Sequence, residues 1–135
     1  MERKYSMPGT KEVKILMSHS VFPTPDIKAT ARYYKEVLGF KLVEYLNADE
    51  PHICLYRDSI EIILTSTDKT VMPNRKYYGY GYDAYLITSQ PELLQQHFVE
   101  RGAKIVKQVS LTDYHNQEFV LEDCDGRWLG FGIKE

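Results

Sequence analysis

The chain has 135 residues, of which 27% are charged, and a formal net charge of -2. This length suits one domain with a buried core, and the nearly balanced charge argues against nucleic-acid binding, which requires a clustered basic surface. No apolar run approaches the roughly 20 residues that span a bilayer, and the N-terminus lacks the apolar stretch of a signal peptide. Two cysteines, Cys54 and Cys124, are too few for a disulfide framework. We therefore predict a cytoplasmic protein with free thiols and with no membrane or nucleic-acid partner.

The first half of the chain predicts the element order β-α-β-β-β. Residues 1–12 are polar and predict a flexible tail. A strand over 13–23 precedes a helix that begins after Asp26, a favourable N-cap residue, and ends at Gly39, a left-handed stop. Three further strands are predicted at 41–46, 52–57 and 60–65.

The second half repeats this order after a polar, tyrosine-rich connecting loop at 66–81. The segments that begin at Gly39 and Gly102 are similar over five residues, lie 63 residues apart, and each opens a strand after a helix. We therefore predict one α+β domain over 13–135, in which two βαβββ modules form an open, curved mixed sheet around a ligand-binding trough. The modules are predicted at about 13–65 and 82–133. The elements of the second are a strand at 82–88, a helix at 91–101, and strands at 104–109, 117–121 and 127–133.

Two features of the second half are each compatible with two interpretations. The tyrosine-rich segment forms either a mobile aromatic lid over a ligand or a packed contact in a homodimer. His115 is either an acid-base residue at the mouth of the trough or an exposed loop residue. The tyrosines concerned are Tyr77, Tyr78, Tyr80, Tyr82 and Tyr85.

The last predicted strand follows an Asp-x-Asp-Gly turn and alternates in character. Trp128, Gly130 and Gly132 share one face, and the intervening apolar residues share the other. Because glycine leaves room beside a strand, we interpret the Trp128 face as the wall of a cavity. The alternative is an edge strand that turns a lone tryptophan to solvent.

The sequence resembles the vicinal oxygen chelate superfamily, which includes glyoxalase I, bleomycin- and fosfomycin-resistance proteins, extradiol dioxygenases and methylmalonyl-CoA epimerase. It is most similar to the short bleomycin-resistance-type members. The resemblance implies the two-module fold, but the fold hosts many chemistries. The segments that carry it are Pro25-Asp26, residues 31–40 with their Leu-Gly-Phe end, Gly102-Ala103, and 119–126 with the motif Asp-Cys-Asp-Gly.

The resemblance implies that catalytic members hold a divalent metal with side chains from the first and last strand of each module. On the first strands the matching positions are His19, a competent ligand, and Asp83, with Tyr82 as the alternative if the register shifts by one residue. Strand alternation favours Asp83, because it then places Tyr85 in the trough.

On the last strands the match to a metal site is poorer. The first module places Ile63 at the ligand position, with Glu61 two residues earlier on the same face. The second module places Gly130 where catalytic relatives usually have a glutamate, and glycine has no side chain to coordinate a metal. A divalent ion in a protein normally requires three or four donors.

Two functions are therefore considered, and we favour the first because Gly130 lacks a carboxylate. In the first, a homodimer binds a small aromatic or amphipathic molecule without a metal cofactor and without transforming it, as drug-sequestering relatives do. In the second, His19, Glu61 and Asp83 hold a divalent metal in a lyase, isomerase or dioxygenase. A third alternative is a module that serves mainly in protein association. The predicted ligand-binding residues are His19, Val21, Glu61, Ile63, Asp83, Tyr85, Trp128 and Gly130.

Overall fold

The computed structural model describes residues 12–134, so residues 1–11 of the predicted tail lie outside the described part of the chain. The first module contains β1 (Ser20–Thr24), α1 (Ile27–Glu36), β2 (Lys41–Tyr45), β3 (His52–Arg57) and β4 (Ile60–Ser66). A short helix, α2 (Asn74–Tyr78), follows. The second module contains β5 (Ala84–Ile87), α3 (Pro91–Glu100), β6 (Lys104–Leu111), β7 (Asn116–Glu122) and β8 (Trp128–Lys134).

Each module forms its own four-stranded mixed sheet, with the strand orders β1-β4-β3-β2 and β5-β8-β7-β6. The first strand of each module lies parallel to the last, so that Val21 pairs with Ile63 and Tyr85 pairs with Gly130. The remaining neighbours are antiparallel. The predicted α+β fold of two βαβββ modules is confirmed, with its eight strands divided between two sheets.

One hydrophobic core joins the two modules, because the helix-covered face of each sheet contributes to it. From the first module, Tyr34 on α1 is fully buried and packs edge-on against Phe40. From the second, the Phe98 ring on α3 lies 5.3 Å from Phe131 and 6.1 Å from Phe119. Strand alternation places Phe22 in this core and leaves its neighbour Val21 exposed.

The boundaries of α1 follow from its sequence. The Asp26 carboxylate accepts a hydrogen bond from Ala29 N at 3.1 Å, as expected of an N-cap. Gly39 has a φ of 77°, which a residue with a side chain rarely adopts, so the helix ends there as predicted.

A buried polar network fixes the acidic turn between β7 and β8 against α1. Arg127 pairs with Asp123 and with Asp125, at 3.1 Å in each case, and the side chains of Arg127 and Asp123 are at most 3% exposed. The Tyr34 hydroxyl donates to Asp123 at 2.6 Å. Two residues of the motif that carries the family resemblance therefore form a structural contact between modules.

Two predicted features differ in the structure. The first strand is shorter than predicted, because regular pairing begins at Ser20 and residues 13–19 form no strand. The connection at 66–81 is not a plain loop, since α2 forms within it.

Both predicted free thiols are present, with Cys54 buried and Cys124 exposed. Among the described residues, no helix is long and apolar enough to cross a membrane.

Candidate functional site

We call the face of each sheet that is turned away from the core its open face. On the first module's open face, His19 Nε2 lies 3.3 Å from Glu61 Oε1, and both side chains are partly buried. Val21 and Ile63 lie beside them, opposite each other in the β1–β4 register. The structure therefore brings four of the predicted ligand-binding residues together on this face.

The second module's open face carries a buried carboxylate surrounded by tyrosines. Glu118 is 3% exposed. Its Oε1 accepts from the hydroxyls of Tyr85 at 2.8 Å and Tyr114 at 2.7 Å, and its Oε2 accepts from Tyr82 at 2.7 Å. Asn116 donates to the Tyr85 hydroxyl at 2.8 Å. We call Glu118, Tyr82, Tyr85 and Tyr114 the Glu118–tyrosine cluster.

The two glycines of β8 make room for this cluster. A Cβ atom at Gly130 would lie 2.8 Å from Tyr85 Cδ2, and one at Gly132 would contact the Tyr85 hydroxyl and lie 2.8 Å from Gln117 O. The interpretation that these glycines leave room for a ligand is therefore wrong for this structure, because the Tyr85 side chain occupies the space.

Burial and hydrogen bonding keep the cluster's hydroxyls protonated. Burial raises the pKa of Tyr85 from the usual 10.0 to about 12, with Asn116 opposing and Glu118 reinforcing the change. Burial also raises the pKa of Tyr82 above its usual range, helped by its hydrogen bonds with Tyr114 and Glu118. At neutral pH these tyrosines are therefore neutral donors to the carboxylate.

Trp128 contacts residues of its own chain on both its ring face and its nitrogen. The Arg75 guanidinium, on α2, lies 4.1 Å from the ring centroid, and Trp128 Nε1 donates to Glu122 at 3.2 Å. A hydrogen bond from Lys104 lowers the pKa of Glu122, so this carboxylate is ionised at neutral pH. Trp128 is consequently neither a lone solvent-facing residue nor a bare cavity wall.

Asp83 holds α2 in place. Its Oδ1 accepts from Asn74 N at 3.1 Å and its Oδ2 accepts from Trp128 N at 3.3 Å. Asn74 also donates through its side chain to Tyr82 O at 3.1 Å. The tyrosines at 77, 78 and 80 remain exposed, and His115 is exposed as well.

Residues of both modules line two clefts, one beside β5 and the other beside β1. The first, of about 320 Å³, includes Glu61 and Tyr85, and we call it the Glu61 cleft. The second, of about 460 Å³, includes Val21, Asp83 and Met72. Residues of the two modules therefore lie side by side in these clefts within one chain.

The donor set does not fit a chelated metal. His19 and Glu61 are adjacent, but Asp83 already binds two backbone amides, and Gly130 offers no side chain. In residues 12–134, no three His, Cys, Asp or Glu side chains are grouped in a way that could hold an ion. The alternative set His19, Glu61 and Asp83 is therefore not assembled in this structure.

Sequence reasoning missed Glu118, although its signal is present. Phe119 is a core residue of β7, so alternation places Glu118 on the open face, and the β7–β8 register places it opposite Gly132. Because Gly132 has no side chain, a tyrosine from the neighbouring strand can lie over it and donate to Glu118. The clustered tyrosines of the sequence are the signal for such a contact.

Comparison with known proteins agrees with this architecture. Residues 16–131 match the model of the Glyoxalase/Bleomycin resistance protein/Dioxygenase superfamily. No curated protein sequence matches the chain.

Solved structures with the same fold share little sequence with the chain. A glyoxalase-related enzyme from Clostridium phytofermentans superposes with a TM-score of 0.72 at 15% identity, over 93% of this chain and 99% of that one. A superfamily member from Sphaerobacter thermophilus DSM 20745 superposes with a TM-score of 0.69 at 18% identity, over 90% of this chain and 98% of that one. TioX from Micromonospora sp. ML1 superposes with a TM-score of 0.65 at 18% identity, over 88% of this chain and all of that one. Together with the family match, the two-module architecture shows that this chain belongs to the Glyoxalase/Bleomycin resistance protein/Dioxygenase superfamily.

Proposed function

We propose that this chain binds a small aromatic or amphipathic molecule in the Glu61 cleft, in the manner of the bleomycin-resistance-type members and without a metal cofactor. The observation that carries the proposal is the composition of that cleft. Apolar residues from both modules line it, among them Ile60, Ile62 and Leu86, together with Glu61, Tyr85 and three serines. A mostly apolar pocket with a few converging polar groups is typical of small-molecule sites.

The polar groups of the cleft favour a ligand with a hydrogen-bond donor. Glu61 supplies acceptor oxygens, and its neighbour His19 orients it at 3.3 Å. The Tyr85 hydroxyl already donates to Glu118 and accepts from Asn116, so the ring is held in a fixed position. A rigid aromatic wall costs little conformational entropy when a ligand packs against it.

A thermal-shift screen of metabolites and antibiotics tests the proposal, because a ligand of the native state raises the melting temperature. Compounds that stabilise the wild type should lose their effect in Glu61→Gln and in Ile87→Asp, which places a charge in the cleft. Glu100→Gln, an exposed change on α3, is the matched control. A screen whose positive compounds stabilise all four proteins equally would contradict the proposed site.

Metal analysis separates this proposal from the metal-dependent enzyme. Protein purified without a chelator is analysed for divalent metals, alongside His19→Ala. We expect the same trace metal content in both. Near-stoichiometric metal that disappears in His19→Ala would support the enzyme instead, with His19 and Glu61 as two of its ligands.

We further propose that the chain works as a cytoplasmic homodimer, with α2 and its flanks at the contact. Met72, Tyr77, Tyr78 and Tyr80 are each more than half exposed, and they form a largely apolar surface on one segment. Sedimentation analysis should show a dimer that Tyr77→Glu dissociates and that Val99→Glu, on α3, leaves intact. A monomeric wild type would refute the dimer without affecting the ligand site.

A further inference from the structure

The two modules differ at the place where the helix of one meets a β-turn of the other. There are two such contacts. In one of them, α1 faces the β7–β8 turn, and side chains fill the space between them. Tyr34 donates to Asp123 at 2.6 Å, and the Thr24 and Thr30 hydroxyls donate to Asp125 at 2.8 and 3.0 Å. This half of the molecule therefore carries its own carboxylates between helix and turn.

The internal repeat identifies the counterparts of these residues in the other half. β5 and α3 each begin 64 residues after β1 and α1. Thr24 therefore corresponds to Thr88 and Tyr34 corresponds to Phe98, which is equally buried but has no hydroxyl. Thr30 corresponds by the same spacing to an apolar residue, Leu94.

Strand register identifies the counterparts within the turn. Leu121 pairs with Leu129 in the second module as Leu55 pairs with Ile62 in the first. Counting two residues outward on each strand, Asp123 corresponds to Arg57 and Arg127 corresponds to Ile60. The carboxylate of the filled half is thus replaced by a guanidinium, and its basic partner is replaced by an apolar side chain.

A cavity of about 270 Å³ lies where this second contact is left open. All five counterparts line it, namely Arg57, Ile60, Thr88, Leu94 and Phe98. The turn here, Asp58-Ser59, is shorter than the acidic turn of the other half, so less of the space is filled. The cavity is near the lower limit of roughly 300 Å³ for small-ligand pockets, which favours a compact ligand.

Arg57 has capacity for an anionic ligand. Its Nη1 donates to Leu38 O at 2.6 Å, and its Nε lies 3.6 Å from the exposed Asp58 carboxylate. A guanidinium has five N–H donors, and a contact with an exposed carboxylate at this distance contributes little. The group lies 5.5 Å from the Phe98 ring centroid, above the apolar floor of the cavity.

We propose that this cavity is a second ligand site, which binds a small carboxylate with an apolar body. The ligand carboxylate pairs with Arg57 and accepts a hydrogen bond from the Thr88 hydroxyl. It takes the place that Asp123 and Asp125 occupy in the other half. The apolar body packs on Leu94 and Phe98. The cavity shares four lining residues with the Glu61 cleft, but Arg57, Thr88 and Phe98 line the cavity alone, so its test does not depend on the ligand of the Glu61 cleft.

Calorimetric titration with benzoate, and with benzamide as its neutral analogue, tests the site. We expect benzoate to bind at least about tenfold more tightly, because charge-assisted bidentate contacts to arginine are lost with the neutral amide. Arg57→Gln should weaken benzoate binding at least about tenfold and leave benzamide binding unchanged. Arg32→Gln, an exposed change on α1, should alter neither. Equal binding of the two compounds, or benzoate affinity that survives Arg57→Gln, would overturn the proposal.

A second variant keeps the test informative if Arg57→Gln fails to fold, since Arg57 also donates to Leu38 O in the segment that follows α1. Leu93 lines the mouth of the cavity and is 44% exposed, so Leu93→Trp adds bulk there with little burden on the core. It should abolish benzoate binding while the folded spectrum is retained. Unchanged benzoate binding in Leu93→Trp would place the bound anion elsewhere.

Discussion

Glu118→Ala tests whether the Glu118–tyrosine cluster stabilises the fold. The substitution removes the acceptor of three hydroxyl hydrogen bonds of 2.7 to 2.8 Å. Each bond to a charged group contributes about 1.5–3 kcal/mol, but water can solvate the partly exposed Tyr114 hydroxyl, and the mutant no longer buries a carboxylate. We therefore expect the free energy of unfolding to fall by about 3 kcal/mol, well below the simple sum.

Urea denaturation followed by Trp128 fluorescence measures this loss, provided that the slope of the transition is unchanged. Glu118→Gln keeps an acceptor oxygen and should lose about half as much. Glu100→Ala removes an exposed carboxylate from α3 and should stay within about 0.5 kcal/mol of the wild type. A loss below about 1 kcal/mol in Glu118→Ala would show that the hydroxyls are equally well satisfied by water, and the reasoning would be wrong.

Three further predictions follow from other contacts. Asp123→Ala leaves the buried Arg127 without its main partner, so urea denaturation should show a loss of about 3–5 kcal/mol, and a loss near zero would mean that Asp125 compensates fully. Gly132→Ala places a Cβ within 2.8 Å of Gln117 O, a backbone atom that cannot move away as a side chain could. Calorimetric melting should therefore show a destabilisation of about 2–3 kcal/mol, and an unchanged melting temperature would refute this. Because the native pKa of Tyr85 is about 12 and the ordinary value is 10.0, the native chain holds this proton more tightly, and that stabilisation is complete below pH 10 and is lost as the pH rises toward 12. Tyr85→Phe should therefore lose less stability than the wild type over this range, and parallel alkaline profiles would contradict the assignment.

Local sequence signals predicted most of the architecture. The N-cap at Asp26 and the left-handed Gly39 fix α1 through contacts within one turn, so no distant information was needed. Period-two alternation likewise explains why Phe22 lies in the core and Val21 is exposed. The helix α2 was missed because it is five residues long and is fixed through Asp83, which lies beyond its own end.

The site was harder to predict because its contacts depend on register between distant strands. Gly130 and Gly132 carry no information about what fills the space beside them, and only the β5–β8 pairing shows that Tyr85 does. The adjacency of His19 and Glu61 was predictable, since a shared face on neighbouring strands was inferred for both. That Asp83 binds the amide of Asn74 instead of facing His19 depends on a long-range fold of the connection.

The acidic turn held by Arg127 has a consequence for how the duplicated unit has diverged. A chain made of two copies of the first module would place an arginine turn at both meeting points, and the hydroxyls of Thr24 and Thr30 would lose Asp125 as their acceptor. Two copies of the second would supply carboxylates at both, facing Phe98 and Leu94, which have no hydroxyl to offer them. Either exchange would therefore remove the hydrogen bond between Tyr34 and Asp123, because its donor and its acceptor come from different modules.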